Sequence, residues 1–321
     1  RRRGYTLRGA TLYVTLEPCC THGRTPPCTS AIIAAGIKRV IAGATDPNPK
    51  HAGKGFKILK RAGIHVVHGV LADDCAHLNE AFNHWIVHRT PFVTVKAAMT
   101  LDGKIATVNG ESKWITGPQA RAHGMYLRKG ADAILAGINT IIADDPALTV
   151  RQKAEGRRRK AEKVIRRIIL DPTARIPLTA RVLNDELASS TIVVVTKAAP
   201  KPRVRALSKK ANVIVAPVKS QTSNLKSQIN LRWLLKRLGS ENVTSLLVEG
   251  GGEANAAFLL GGFAHRIAFF YAPKMIGGRS ARKAVGGTGI KDISRVPNLT
   301  NPQWKRLGKD LLLTAGLEPH L

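Results

Sequence analysis

Aromatic and acidic residues are scarce in this chain. Phe, Trp and Tyr make up 5% of its 321 residues, and 21 Asp and Glu stand against 51 Lys and Arg, which gives a formal net charge of +30. No apolar run approaches the roughly 18 residues of a membrane helix, and residues 1–10 lack the apolar segment of a secretory signal. These absences predict a soluble intracellular protein, in the cytoplasm or, if the source is a plant, in a plastid.

The positive charge is concentrated in residues 151–210, which hold 17 Lys and Arg and 5 Asp and Glu. A surface of this charge attracts nucleic acid and other polyanions. Its densest run, residues 156–167, has no aromatic side chains on which bases could stack. We therefore interpret residues 153–163 as a solvated basic insertion that binds nucleic acid only weakly and non-specifically. A dedicated nucleic-acid-binding protein is the alternative hypothesis.

Strand and helix patterns alternate along the chain, which predicts an α/β fold with largely parallel sheets covered by helices. The Thr90-Pro91 pair ends a helical pattern and marks the expected boundary between domains at residues 1–90 and 91–321. The predicted strands cover residues 10–16, 37–43, 64–70, 92–98, 131–136, 164–170, 191–195, 213–215, 245–248 and 266–271. The predicted helices cover residues 26–36, 55–63, 78–88, 118–128, 225–238 and 253–260.

The chain has four cysteines, and three of them, Cys19, Cys20 and Cys28, fall within ten residues, whereas Cys75 lies apart. This clustering favours a metal site in a reducing compartment over a disulfide framework. We expect Cys19 to follow a buried strand and Cys28 to begin a helix, where the macrodipole favours the thiolate. Ordinary buried cysteines are the alternative, and the flanking Glu-Pro and Thr-Pro-Pro motifs weigh against it.

The pair Cys19 and Cys28 resembles half of the zinc site of a nucleobase deaminase. Such a site uses one His and two Cys ligands, and the His belongs to a His-x-Glu motif whose Glu shuttles protons. The chain contains no His-x-Glu motif. A deaminase that edits nucleic acid also needs aromatic side chains around a flipped base, and Tyr5 and Tyr13 are the only aromatic residues among the first fifty. The cysteines therefore favour a small-molecule deaminase over an editing enzyme.

A run of three glycines, Gly250 to Gly252, links a predicted strand to a predicted helix. Glycines let a backbone approach a ligand closely, and the free N–H groups of a helix start bind phosphate. The run lacks the third glycine of the G-x-G-x-x-G motif, so a plain tight turn is an equal alternative. Residues 286–289 form a weaker glycine-rich motif.

Lys96 and residues 101–104, 112–117 and 143–151 form a dense series of polar and turn-forming positions. Taken singly, Asp102-Gly103 and Asp144-Asp145-Pro146 are typical of turns, and Thr116 is typical of a helix N-cap. Their shared order along the chain is more informative than any one of them.

Together with the cysteine motif, these segments closely resemble the bifunctional deaminase/reductase family of riboflavin biosynthesis, from Leu16 to Leu313. The matching motifs are LEPCCTHGRTPPC at residues 16–28, DPNP at 46–49, SKWIT at 112–116, ADDPALTVR at 143–151 and VEGG at 248–251. The resemblance implies a truncated, three-layer cytidine-deaminase-like domain followed by a dihydrofolate-reductase-like α/β domain. It implies zinc-dependent deamination of a diaminopyrimidinone ribosylamine phosphate, and NADPH-dependent reduction of the ribosyl group of the product to ribityl.

For the deaminase, the resemblance implies that Cys19 and Cys28 bind zinc. The family's His-x-Glu motif would fall just before Arg1, so we expect deamination to be impaired in this chain. His22 is an alternative third ligand, although its neighbours resemble a substrate-side loop. The resemblance also implies a phosphorylated pyrimidine as the small-molecule partner and self-association of the chain, while the lack of a long apolar run predicts no membrane partner.

For the reductase, the resemblance implies two overlapping sets of binding residues. The expected NADPH site comprises Ala98, Trp114, Thr140, Asp144, Gly251, Gly252, Glu253, Ala254, Asn255, Ala256 and Ala257. The expected substrate site comprises Ser112, Arg128, Leu148, Arg151 and Glu249. Lys96, Asp144 and Glu249 are the titratable candidates for moving protons as the ribosylamine opens. Arg128 and Arg151 offer guanidinium groups that match a 5′-phosphate, with a surface ion pair as the alternative for each.

Overall fold

The computed structural model describes residues 6–23, 25–150, 164–218 and 228–318. The chain divides into two compact units, with the division between Thr90 and Pro91. No helix in the described ranges is long and apolar enough to cross a membrane. The basic stretch 153–163 and the expected substrate residue Arg151 lie outside the described residues.

The first unit contains a parallel three-stranded sheet with helices packed on it. Its strands, in sheet order, are β1 (Thr11–Leu16), β2 (Arg39–Ala44) and β3 (His65–His68). Its helices are α1 (Cys28–Ala34), α2 (Lys54–Arg61), α3 (Ala72–Leu78) and α4 (Glu80–His88). The core lies between β2 and α2, where Val40, Phe56 and Leu59 are buried.

Two expectations for this unit were wrong. Strand β1 was predicted to be buried, but its side chains alternate between exposed and half-buried because it is an edge strand of the described sheet. The single helix predicted over residues 78–88 is interrupted at Asn79, and α3, which was not predicted, precedes it. The Asn79 amide donates to Cys75 O at 2.7 Å, a local bond of the kind that competes with helix continuation.

The second unit is built on a mostly parallel sheet of nine described strands. The strands are β4 (Phe92–Thr100), β6 (Ala133–Gly137), β7 (Arg166–Leu170), β8 (Thr191–Val195), β9 (Asn212–Val215), β10 (Ser245–Val248), β11 (Arg266–Ala272), β13 (Leu299–Leu307) and β14 (Asp310–Leu317). Their order in the sheet is β13-β14-β11-β4-β10-β6-β7-β8-β9. The seven strands from β11 to β9 run parallel, and β13 and β14 add an antiparallel hairpin at one edge. Two short strands, β5 (Lys104–Ala106) and β12 (Arg282–Lys283), pair separately.

The helices of the second unit cover both faces of this sheet. They are α5 (Pro118–Gly130), α6 (Ile138–Asp144), α7 (Lys201–Ser208), α8 (Leu231–Ser240) and α9 (Gly252–Leu259). One core packs Val93 and Val95 of β4 with Leu234 and Phe258. A second core, which contains Ile134 of β6, lies on the opposite face of the sheet. Both faces carry a core because successive side chains of a strand point to opposite sides.

The structure of this unit differs from the prediction in the start of one helix, in two short helices and in the edge hairpin. Residues 225–227 of the helix predicted over 225–238 lie outside the described residues, and α8 begins at Leu231, where Asn230 caps it by accepting from Trp233 N at 3.0 Å. Helices α6 and α7 and the edge hairpin were not predicted. The turn predicted at Asp144-Asp145-Pro146 is present, and it ends helix α6. Asp145 takes the left-handed conformation there, with a φ of 39°.

Candidate active site

A cavity of about 170 Å³ opens beside the middle of the large sheet, between β4, the end of β10 and α5. Its charged lining consists of Lys96, Arg121, Arg128 and Glu249, and its apolar lining includes Ala98, Trp114, Met125 and Phe270. Lys96 and Glu249 come together because β4 and β10 are neighbouring parallel strands, with Val95 opposite Val248. The crevice at the carboxyl ends of parallel strands is where α/β folds bind ligands.

Glu249 is the charged centre of this cavity. Its carboxylate accepts two hydrogen bonds from Arg128, from Nε at 2.7 Å and Nη2 at 2.8 Å, and Lys96 Nζ lies 3.6 Å from Oε2. Burial would raise the pKa of Glu249, but Lys96 and Arg128 outweigh it and lower the pKa to about 2. Burial likewise opposes the charge of Arg128, yet Glu249 raises the pKa of the guanidinium. Glu249 and Arg128 therefore stay ionised at neutral pH.

This pKa shift predicts an acid-dependent loss of stability. A carboxyl whose pKa falls from 4.5 to about 2 on folding stabilises the protein above pH ~4.5, and that contribution disappears as the pH falls from about 4.5 to about 2. We expect Glu249→Gln to flatten the dependence of unfolding free energy on pH in this window, as measured by urea unfolding at several pH values. An unchanged slope would show that the Glu249 carboxyl titrates normally.

Ser112 and Asp144 form a second polar pair. Ser112 Oγ donates to Asp144 Oδ1 at 2.8 Å. Asp144 is the last residue of α6, and Thr140 lies one turn earlier on the same helix. A Cβ added to Gly251 would lie 3.4 Å from Thr140 Oγ1, so the glycine run passes in contact with this helix. The structure therefore brings four expected site residues together, because Ser112 contacts Asp144 and Gly251 lies beside Thr140 on the same helix.

The glycine run has a structural role that the sequence motif did not predict. A Cβ at Gly250 would lie 2.4 Å from Ala254 Cβ, and one at Gly252 would lie 2.4 Å from Lys283 O. These two glycines therefore permit close packing of the protein on itself. The second glycine-rich motif also lies here, because Gly286 N donates to Gly252 O at 2.9 Å.

The segment 251–257 divides between positions that a ligand could reach and positions that it could not. Asn255 and Ala256 are buried, and the Asn255 amide donates to Ala284 O at 2.8 Å. The Oδ1 atom of Asn255 is buried without a hydrogen-bond partner in the described residues. Glu253 and Ala257 are exposed, and Gly251, Gly252 and Ala254 are half-buried at the start of α9.

The loop that follows α6 reaches Arg128. Arg128 Nη1 donates to Thr149 O at 2.9 Å, so this guanidinium both pairs with Glu249 and holds the loop. The neighbouring Leu148, an expected substrate residue, is 2% exposed and packs in the core. Its side chain is therefore closed to a ligand, and any contact from this residue must come from its backbone.

Sequence reasoning missed several residues of the cavity, above all Arg121. Arg121 and Arg128 are seven residues apart on α5, which places them on the same helix face two turns apart. This seven-residue spacing is the feature of the sequence that could have identified Arg121 as a neighbour of Arg128. Thr116 was interpreted as a helix N-cap, but Gly117 takes that position and its N–H donates to Asp310 Oδ2 at 2.7 Å.

In the first unit, the structure brings Cys19 and Cys28 together. The backbone N–H of Cys28 donates to Cys19 Sγ at 3.3 Å. We expected the start of α1 to favour a thiolate at Cys28, but its pKa is raised, first by the hydrogen bond with the Cys19 side chain and then by burial. His22 contacts the carbonyl of Gly23, and no group of three metal-ligating side chains occurs within the described ranges.

These two thiols supply part of what a zinc ion needs. Zinc in a catalytic site takes three protein ligands, and thiolate sulfur is among its preferred donors. The chemistry of the pair fits such a site, whereas the described residues do not complete it.

Glu17 holds the cysteine turn against the Asp46-Pro-Asn-Pro49 loop. Its carboxylate is buried and accepts from Gly53 N at 2.8 Å, Gly55 N at 2.8 Å and Asp46 N at 3.2 Å. His51 adds a contact, because its Nδ1 lies 3.3 Å from Cys20 Sγ. The matching motifs 16–28 and 46–49 are therefore joined by one buried carboxylate.

We expect Glu17→Gln to loosen this loop, because an amide nitrogen cannot accept the backbone N–H groups. Leaving a buried donor unpaired costs about 1–3 kcal/mol. Hydrogen exchange followed by mass spectrometry should show faster exchange in peptides covering residues 46–56, with the second unit as the internal control. Unchanged protection there would contradict the role assigned to Glu17.

Comparison with known proteins identifies the family. The family model for the RibD C-terminal domain matches residues 91–313, and the model for the cytidine and deoxycytidylate deaminase zinc-binding region matches residues 1–44. The riboflavin biosynthesis protein RibD of Aquifex aeolicus is 43% identical over 310 residues, which cover 97% of this chain and 81% of that protein. This chain belongs to the RibD family.

Solved structures of RibD proteins have the same fold. RibD of Acinetobacter baumannii superposes with a TM-score of 0.80 at 33% identity, covering 97% of this chain and 82% of that one. The Thermotoga maritima protein, described as a diaminohydroxyphosphoribosylaminopyrimidine deaminase and 5-amino-6-(5-phosphoribosylamino)uracil reductase, gives a TM-score of 0.77 at 34% identity, covering 99% and 82%. These matches confirm the expected α/β fold, a deaminase-like unit followed by a reductase unit.

Proposed function

We propose that this RibD-family chain acts in riboflavin biosynthesis, and that its second unit reduces the ribosyl group of 5-amino-6-(5-phosphoribosylamino)uracil to ribityl. The T. maritima relative is described as a 5-amino-6-(5-phosphoribosylamino)uracil reductase. The observation that carries the proposal here is the ion-pair cluster of Lys96, Glu249 and Arg128 in a ring-sized cavity. For the first unit we propose deamination of the diamino precursor, with zinc held in part by Cys19 and Cys28.

The residues around α9 fit a dinucleotide phosphate. Gly251 caps this eight-residue helix with no side chain over its first N–H groups, which favour anions, whereas the space beside Gly252 is filled by Lys283 O. Thr140 faces the same run, and Ala98 and Trp114 line the cavity that Glu249 shares. We propose that these positions hold NADPH, which supplies a hydride to the former anomeric carbon of the substrate.

Lys96 is the residue we assign to proton donation. Opening the ribosylamine to an imine places a proton on the ring oxygen and removes the N–H proton, and reduction of the imine returns a proton to the nitrogen, so the two steps together take up one hydride and one proton. Glu249, with its pKa near 2, is a poor donor at neutral pH. Its part is to hold the Lys96 ammonium and the Arg128 guanidinium in place.

The remaining pair completes the proposed substrate site. Ser112 Oγ gives its one proton to Asp144 Oδ1 at 2.8 Å at the end of α6, so its oxygen would accept a hydrogen bond from a sugar hydroxyl of the substrate. Arg128 keeps N–H groups beyond those used by Glu249 and Thr149, and these are free to bind an anion. Arg151, which lies outside the described residues, is proposed to act with it.

Two measurements on the purified chain test this proposal. Calorimetry should detect NADPH binding, and NADPH should be consumed only when the phosphoribosylamino-uracil is added. The ribityl compound should form in equal amount to the NADP⁺ produced. Binding of NADPH without substrate-dependent consumption would contradict the proposal.

A further inference from the structure

Arg121 lines the cavity but has no acidic partner among the residues that the structure describes. Its Nη1 donates to Thr116 O at 2.8 Å, and its guanidinium carbon lies 4.6 Å from the centroid of the Trp114 ring. These two contacts orient the guanidinium and use only one of its five N–H groups. The others are available to a ligand in the cavity.

The size and walls of the cavity suit one flat ring. Its volume is about 170 Å³, and an apolar cavity of ~150 Å³ accommodates benzene. Trp114, Met125 and Phe270 provide apolar and aromatic surfaces around this space. The cavity is open to solvent, so a six-membered heterocycle can enter it beside Arg121 while the ribosyl phosphate and the cofactor extend from its mouth.

The charged lining requires that this ring present acceptors. Lys96, Arg121 and Arg128 are donors only. Glu249 is the one carboxylate of this lining, and its oxygens are already engaged by Arg128 and Lys96. Beside Arg121, an amino group on the ring would face another donor, whereas a carbonyl oxygen would be bound; the Thr116 hydroxyl is the one uncharged acceptor side chain of the lining.

We propose that Arg121 is a specificity-determining residue that binds the C2 carbonyl oxygen of the pyrimidinedione. This inference rests on the proposed reductase function. Deamination of the precursor replaces the C2 amino group, a donor, by a carbonyl oxygen, an acceptor. Arg121 thereby makes the reductase unit select the deaminated substrate over its 2-amino precursor.

The test compares kcat/KM of NADPH oxidation with the 2-oxo and the 2-amino substrate, in the wild type and in Arg121→Gln. Wild type should prefer the 2-oxo compound, because an unmet hydrogen bond to a charged group is strongly unfavourable. Gln offers both a donor and an acceptor, so the preference should fall roughly ten- to hundredfold. Because both rates come from the same preparation, their ratio does not depend on the fraction of folded enzyme.

Arg232→Gln is the matched control, since Arg232 also stacks on an aromatic ring, at 6.0 Å from Phe263, but does not line the cavity. It should keep the wild-type ratio. An unchanged ratio in Arg121→Gln, or a change only in the Kd of NADPH, would overturn the inference while leaving the proposed function intact. A wild type that reduces neither compound would remove the proposed function and this inference together.

Discussion

Lys96→Met is expected to lower the kcat of substrate-dependent NADPH oxidation by about two to four orders of magnitude, the usual contribution of a positioned proton donor. The fold should survive, because Glu249 keeps both hydrogen bonds to Arg128 and its charge stays compensated. The Kd of NADPH, measured by calorimetry, should change little. The loss is therefore expected in turnover rather than in cofactor binding.

The variant Lys96→Arg distinguishes a role of Lys96 in proton donation from a role of its positive charge alone. A guanidinium keeps the positive charge beside Glu249 but does not release a proton near neutral pH. We expect this variant to be nearly as slow as Lys96→Met. Full activity in Lys96→Arg would contradict the assignment of Lys96 as a proton donor and would leave only an electrostatic role.

Asp185→Ala is expected to destabilise the second unit by about 3–5 kcal/mol, because it leaves a buried cation without its counter-ion. Arg167 is fully buried and donates to both oxygens of Asp185, at 2.6 and 2.7 Å. Its other bonds go to Thr191 Oγ1 and to the carbonyls of Ala147 and Val182. The protection of β7 and β8 amides against hydrogen exchange measures the loss.

Glu241→Ala provides the matched control for this ion pair. Glu241 pairs with Arg166 and Arg237 at the surface, where all three side chains are partly exposed. Exposed pairs of this kind contribute less than about 1 kcal/mol. The double variant Arg167→Met with Asp185→Leu should regain part of the loss, since it removes both charges. Equal effects of Asp185→Ala and Glu241→Ala would contradict the account of Arg167.

The parallel strands were predictable because most are short, mainly apolar runs, the most regular being the β-branched β8, where all five side chains are buried. Helix α6 was not predictable in the same way, since it has seven residues and ends in a turn signal. The hairpin of β13 and β14 was missed because β13 is largely exposed and polar, so it has no apolar run.

The candidate site was predictable in its composition but not in its contacts. The family resemblance supplied Glu249 and Arg128, yet their bidentate pairing joins residues 121 positions apart and depends on the fold. Likewise, the glycine run suggested a ligand, and only the structure reveals that Gly250 and Gly252 are also required by packing. Arg121 belonged to no motif, and its importance follows from the cavity that it shares with Lys96.

Transfer of deuterium tests the central claim most directly. With NADPH deuterated at the transferring position and the phosphoribosylamino-uracil as substrate, mass spectrometry of the product should find one deuterium at carbon 1 of the ribityl chain. The same label should be almost absent with Lys96→Met, which still binds the cofactor. A ribityl product without deuterium at that carbon, or no product from the wild type, would contradict the account.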